Sequence, residues 1–83
     1  MTYTIVWDEP AINSAARFLK DDADGLRQVL DAVDLLADDP RPTGSTPYGS
    51  PDLRHIHIGR YRVMYEIAEQ TVTIVVIHLG RLA

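Results

Sequence analysis

Two histidines and an arginine lie close together in this 83-residue sequence, within Leu53-Arg54-His55-Ile56-His57-Ile58-Gly59-Arg60-Tyr61-Arg62-Val63-Met64-Tyr65-Glu66-Ile67. Gly59-Arg60 separates two strand-like runs, and Gly at the first central position suits a two-residue type II′ hairpin turn. Such a turn sets the register. Ile58 faces Tyr61, His57 faces Arg62, Ile56 faces Val63, His55 faces Met64, Arg54 faces Tyr65 and Leu53 faces Glu66. Alternation then places Ile56, Ile58, Tyr61, Val63, Tyr65 and Ile67 on one surface, and His55, His57, Arg62, Met64 and Glu66 on the other. The apolar set must be the packed one. On the polar side His57 and Arg62 are direct neighbours with Cβ atoms about 5 Å apart, and His55 is one diagonal step away.

A guanidinium presents a fixed fork of donors to a phosphate, and imidazole exchanges a proton near neutral pH. Those are the parts an RNA-cleaving site needs: a base for the 2′-hydroxyl, a cation for the phosphorane and an acid for the leaving 5′-oxygen. The same residues on an exposed strand also serve simple solubility, and spacing alone does not separate the two uses. A zinc site built on His55 and His57, with Glu66 as third ligand, is disfavoured because Arg62 would repel the cation and no further ligand cluster exists. His78, in an otherwise apolar run, reads as a satisfied or partly buried histidine, and Tyr3 and Trp7 as core or sheet edge. The sequence has no cysteine, phosphate loop, serine elbow or zinc-finger spacing, so most enzyme classes fall away and no metal or cofactor is implied.

The elements that must position these groups follow from periodicity. Residues 2–7 are β-branched and aromatic, as in a strand, and Asp8-Glu9-Pro10 ends them with an N-cap acid and a first-turn proline. Ile12, Ala15, Ala16 and Leu19 then mark one helix face. After a polar turn over residues 21–25, Leu26, Val29, Leu30, Val33, Leu36 and Ala37 mark a second helix, with Arg27, Gln28, Asp31, Asp34 and Asp38 opposite. Asp39-Pro40 closes it, giving a helical hairpin. Residues 40–52 hold four prolines and two glycines and read as a long irregular loop. Strands follow at 53–58, 61–67 and 71–79, the last apolar on both faces and therefore interior. The expected fold is α+β, in the order β-α-α-β-β-β, with the helical hairpin on one face of a mostly antiparallel four-stranded sheet.

Length leaves room for one domain over residues 1–83. With 46% hydrophobic and 24% charged residues the chain should fold as an ordinary globular protein. No apolar run reaches membrane-spanning length and the start lacks a signal-peptide pattern, so no membrane contact and a cytoplasmic location are expected. The net charge of -4 is uneven. Residues 1–39 hold nine acids against three bases, whereas residues 40–83 hold five arginines against three acids and contain all three histidines. An anion would be met in the second half.

The sequence resembles the RelE/ParE toxins of bacterial type II toxin-antitoxin systems over nearly its whole length. The resemblance rests on the opening strand ending in Trp7, the amphipathic helix pair, Asp39-Pro40-Arg41-Pro42-Thr43-Gly44, the stretch from Leu53 to Ile67, and Val76-Ile77-His78-Leu79-Gly80-Arg81. It implies a ribosome-dependent, metal-independent mRNA endonuclease that inhibits translation and is neutralised by a cognate antitoxin wrapped around it. By position, Arg62 matches the strand arginine at the scissile phosphate, His55 and His57 fall where basic residues commonly stand, and Arg81 roughly matches a terminal basic residue. On this reading Arg62, His57, His55 and Arg81 are catalytic, Arg54, Arg60 and Arg81 contact RNA, and Glu66 orients an imidazole.

Two features depart from the family pattern. Members often continue past Gly-His-Arg to a C-terminal Tyr, whereas this sequence reads Gly80-Arg81-Leu82-Ala83, and a charge of -4 is low for a ribosome-directed protein. They leave open a ParE-like toxin that inhibits DNA gyrase by binding, and a catalytically weakened member that binds its antitoxin.

Overall fold

The computed structural model describes residues 2–82. Strand β1 (Thr4–Trp7) leads into α1 (Glu9–Asp21) and α2 (Ala23–Leu35), followed by β2 (Ser45–Ser50), β3 (Leu53–Ile58), β4 (Tyr61–Ala68) and β5 (Thr73–Arg81). The strands form one sheet in the order β1-β5-β4-β3-β2. β1 runs parallel to β5 and every other pair is antiparallel, so β5 is interior as its two-sided apolar character requires. The sheet has five strands rather than four. The extra one, β2, lies in the segment read as irregular loop. As an edge strand it pairs on one side only, which is where Pro47 is tolerated, and its register slips between Pro47 and Ser50.

The helices meet more abruptly than the polar turn suggested, with Asp22 alone between them. Asp22 caps α2 by accepting from the Gly25 N–H at 3.2 Å, whereas the Asp8 carboxylate at the start of α1 accepts no hydrogen bond. The buried side of α1 is also rotated by one residue from the expected face. Ala11 and Phe18 are buried and Ala15 is half-buried, while Ile12 and Leu19 are exposed. On α2 the expected Leu26, Val29 and Val33 are buried, with Leu36 just beyond the helix.

These side chains cover one face of the sheet, where Tyr61, Val63, Tyr65, Ile67, Ile74, Val76 and Leu79 are buried. Two buried phenols satisfy their hydroxyls at the edges of this layer. Tyr61 donates to Asp22 Oδ2 at 2.8 Å and Tyr65 donates to the Pro40 carbonyl at 2.7 Å. Arg41 pairs with Asp52 at 2.6 Å and Glu69 at 3.1 Å, linking the segment after α2 to the turn between β4 and β5.

One irregularity reorients β5. Tyr65 pairs with Val76 but Met64 pairs with His78, so Ile77 is an extra residue and the strand bulges. Before the bulge Ile74 and Val76 face the helices; after it Leu79 does, and His78 is exposed.

Candidate functional site

The β3–β4 hairpin has the register the Gly59-Arg60 turn dictates: His57 opposite Arg62, His55 opposite Met64, Leu53 opposite Glu66. Gly59 takes φ +60° and Arg60 does not enter the positive-φ region, as a type II′ turn requires. The apolar alternate residues meet the helices, so His55, His57, Arg62, Met64 and Glu66 occupy the uncovered face.

On that face the His55 and His57 rings lie edge to face with centroids 5.5 Å apart. Tyr48 of β2 approaches His55 from the other side, with centroids 6.1 Å apart, and is 59% exposed. Tyr48 is a member of the cluster that sequence reading missed, because its segment gave no strand signal. His55 Nδ1 and Arg62 Nε are both buried and have no hydrogen-bond partner. Glu66 is exposed on this face and makes no hydrogen bond to either imidazole among the described residues.

The other arginines are placed differently. Arg54, opposite Tyr65, donates from Nε to Ser45 Oγ at 2.9 Å and from Nη1 to the Pro51 carbonyl at 3.1 Å, fastening β2 to β3. Arg60 leans from the turn toward Asp22, 3.5 Å away, and remains largely exposed. Arg81 pairs with Tyr61 across β4 and β5, which sets it on the helix side of the sheet. There it bonds Asp21, and its guanidinium lies 4.7 Å from the centre of the Phe18 ring. Arg81 therefore does not join Arg62; the alternation that exposes residue 62 sends its neighbour's partner to the opposite face. Of the five arginines in residues 40–83, Arg62 alone has neither an ion pair nor a hydrogen bond among the described residues.

Two apolar grooves lie elsewhere. One, of about 350 Å³, is lined by Leu35, Leu36, Pro42 and Ile56, and the other, of about 260 Å³, by Trp7, Ile12, Leu19 and Leu30. Among the described residues no cluster of three metal-ligating side chains occurs, and no helix is long and apolar enough to cross a membrane. The arrangement can bind an anion and exchange protons with it.

Solved structures share this architecture. Isolated E. coli RelE toxin is 22% identical, with a TM-score of 0.84 over 98% of this chain and 85% of that one. The RelBE2 toxin-antitoxin complex of Mycobacterium tuberculosis is 19% identical, with a TM-score of 0.78 over 98% and 99% of the two chains. A YoeB/ParE toxin from Agrobacterium tumefaciens is 16% identical, with a TM-score of 0.79 over 96% and 98%. At these identities the likeness shows the fold alone, the small α+β fold of the RelE type. No curated protein sequence matches. The profile of the ParE toxin of type II toxin-antitoxin systems, parDE, matches residues 5–81, and the chain belongs to that family, within the RelE/ParE group of toxins.

Proposed function

We propose that this toxin is a RelE-like, ribosome-dependent and metal-independent mRNA endonuclease of the cytoplasm, restrained by a cognate antitoxin. The observation that carries the reading is the uncommitted guanidinium of Arg62 beside two imidazoles on the face the helices leave open. In the reaction, the ribose 2′-oxygen attacks phosphorus while an imidazole, His57 or His55, accepts its proton. Arg62 stabilises the charge that gathers on the phosphorane oxygens. The bond to the 5′-oxygen then breaks and that oxygen receives a proton, leaving a 2′,3′-cyclic phosphate and a 5′-hydroxyl. Arg60, exposed at the hairpin tip, meets the RNA backbone on leaving its 3.5 Å pair with Asp22, and Tyr48 offers a ring on which a base can stack. Glu66 shares the face and orients an imidazole once RNA orders the cluster. The antitoxin partner is supported by relatives solved as toxin-antitoxin complexes.

Induction of the wild-type protein followed by primer extension on cellular mRNA should reveal discrete cuts in translated frames. Arg62→Ala should remove both the cuts and the growth arrest while the protein stays folded; full toxicity in that variant would refute the mechanism. A second reading, a ParE-like inhibitor of DNA gyrase, is favoured by the ion pairs that occupy Arg41, Arg60 and Arg81 and leave little free positive charge for a ribosome. DNA damage without mRNA cuts would establish it instead.

A further inference from the structure

We propose that His78 is the second proton-transfer group of this site, acting across Arg62 from His57; the inference rests on the endonuclease reading above. Transesterification of a phosphodiester needs one group to take the 2′-hydroxyl proton and another to protonate the departing 5′-oxygen, and the two must approach from different sides of the phosphorus. His55 and His57 both belong to β3 and stand on the same side of Arg62. The opposite side is the β5 side. There Arg62 pairs with Gly80, and His78 pairs with Met64.

The missing side chain at Gly80 decides where the His78 ring goes. A Cβ built on Gly80 would lie 3.0 Å from His78 Cε1 and 3.7 Å from Nδ1, so the ring leans along β5 over Gly80 and toward the Arg62 row. Adjacent strands are about 4.8 Å apart, which sets His57 and Gly80 about 10 Å from each other with Arg62 midway between them. A phosphodiester seated on the Arg62 guanidinium is then flanked by the His57 imidazole on one side and the His78 imidazole on the other. His78 is exposed and makes no hydrogen bond among the described residues, so no such bond ties up its ring nitrogens. The proton taken from the 2′-hydroxyl by one ring is balanced by the proton delivered to the 5′-oxygen by the other.

The test is the rate of mRNA cleavage against pH on programmed ribosomes, for the wild-type chain and for His57→Gln, His78→Gln, Gly80→Ala and Arg62→Ala. Wild type should give a bell-shaped profile. His78→Gln should lower the maximal rate about 10²-fold with KM unchanged and erase one limb of the bell, and His57→Gln should erase the other. Gly80→Ala, which displaces the ring, should lower the rate less and retain both limbs. Both limbs retained in His78→Gln, with cleavage still lost in Arg62→Ala, would overturn the role of His78 and leave the endonuclease reading standing. Absence of cleavage by the wild type, or full cleavage by Arg62→Ala, would overturn that reading and this inference with it.

Discussion

The buried Tyr61 hydroxyl donates to the Asp22 carboxylate at 2.8 Å, joining residues 39 positions apart. Tyr61 is the first residue after the hairpin turn and Asp22 is the single residue between the two helices. The bond thus pins the turn that sets His57 opposite Arg62 to the corner of the helical layer. Arg60 lies beside the same carboxylate, 3.5 Å away. One carboxylate therefore caps α2, holds Tyr61 and attracts Arg60.

That convergence predicts how stability changes in acid. The Tyr61 hydroxyl first, then the Gly25 N–H and Arg60, hold the Asp22 carboxyl below its ordinary value of 3.8, against the opposing effect of desolvation. A carboxyl depressed in the folded state adds stability that is complete above its unfolded pKa and disappears as pH falls through its folded pKa. The melting temperature should therefore fall between about pH 5 and pH 2, and Asp22→Asn should melt lower at neutral pH with a flatter acid limb. An equally steep limb in Asp22→Asn would remove Asp22 from the account.

Tyr65 should matter to stability without touching the reaction. Its ring is fully buried and its hydroxyl is the donor to Pro40 at 2.7 Å. Tyr65→Phe leaves that carbonyl unpaired and should cost about 1 to 2 kcal/mol in urea denaturation. Cleavage measured well below the melting temperature should be unchanged.

Arg54 is predicted to hold an edge strand in place. Replacing it with Ala removes its bonds to Ser45 Oγ and the Pro51 carbonyl. Amide hydrogens of residues 45–50 should then exchange faster while those of β4 and β5 keep their protection. Uniform loss of protection through the sheet would mean that Arg54 supports the whole fold instead.

Arg81 and Arg62 should behave differently when truncated. Arg81 contacts Asp21 and Phe18 on the helix side, so Arg81→Ala should lower the melting temperature by a few degrees and alter the cleavage rate less than about tenfold. Arg62→Ala should cost about 10² to 10³ in rate with little change in melting. A larger kinetic loss at Arg81 than at Arg62 would relocate the site to the other face.

The hairpin was legible in the sequence because one glycine in a two-residue turn determines every pairing from Leu53–Glu66 to Ile58–Tyr61. The helices were legible as elements, but the buried side of α1 was not. Ala11, Ala15 and Phe18 compete with Ile12, Ala16 and Leu19 for the same amphipathic signal, and only packing against β5 chooses between them. β2 was hidden because its Pro47 and Gly49 suit an edge as well as a loop. Arg81 could not be assigned a face, since the pairing of β4 with β5 is not fixed by a short turn. The same gap concealed the exposure of His78, and the missing strand signal over residues 45–50 concealed Tyr48.

The bulge at Ile77 has a consequence for how such a surface can be inherited. Regular alternation through β5 would keep residue 78 in phase with Ile74 and Val76, placing an imidazole among the helices and a leucine in water. One additional residue inverts that phase for everything downstream. Loss of the Ile77 codon would restore plain alternation with His78 still exposed and Leu79 still buried, so the bulge lets β5 carry one residue more without changing which side chains reach solvent.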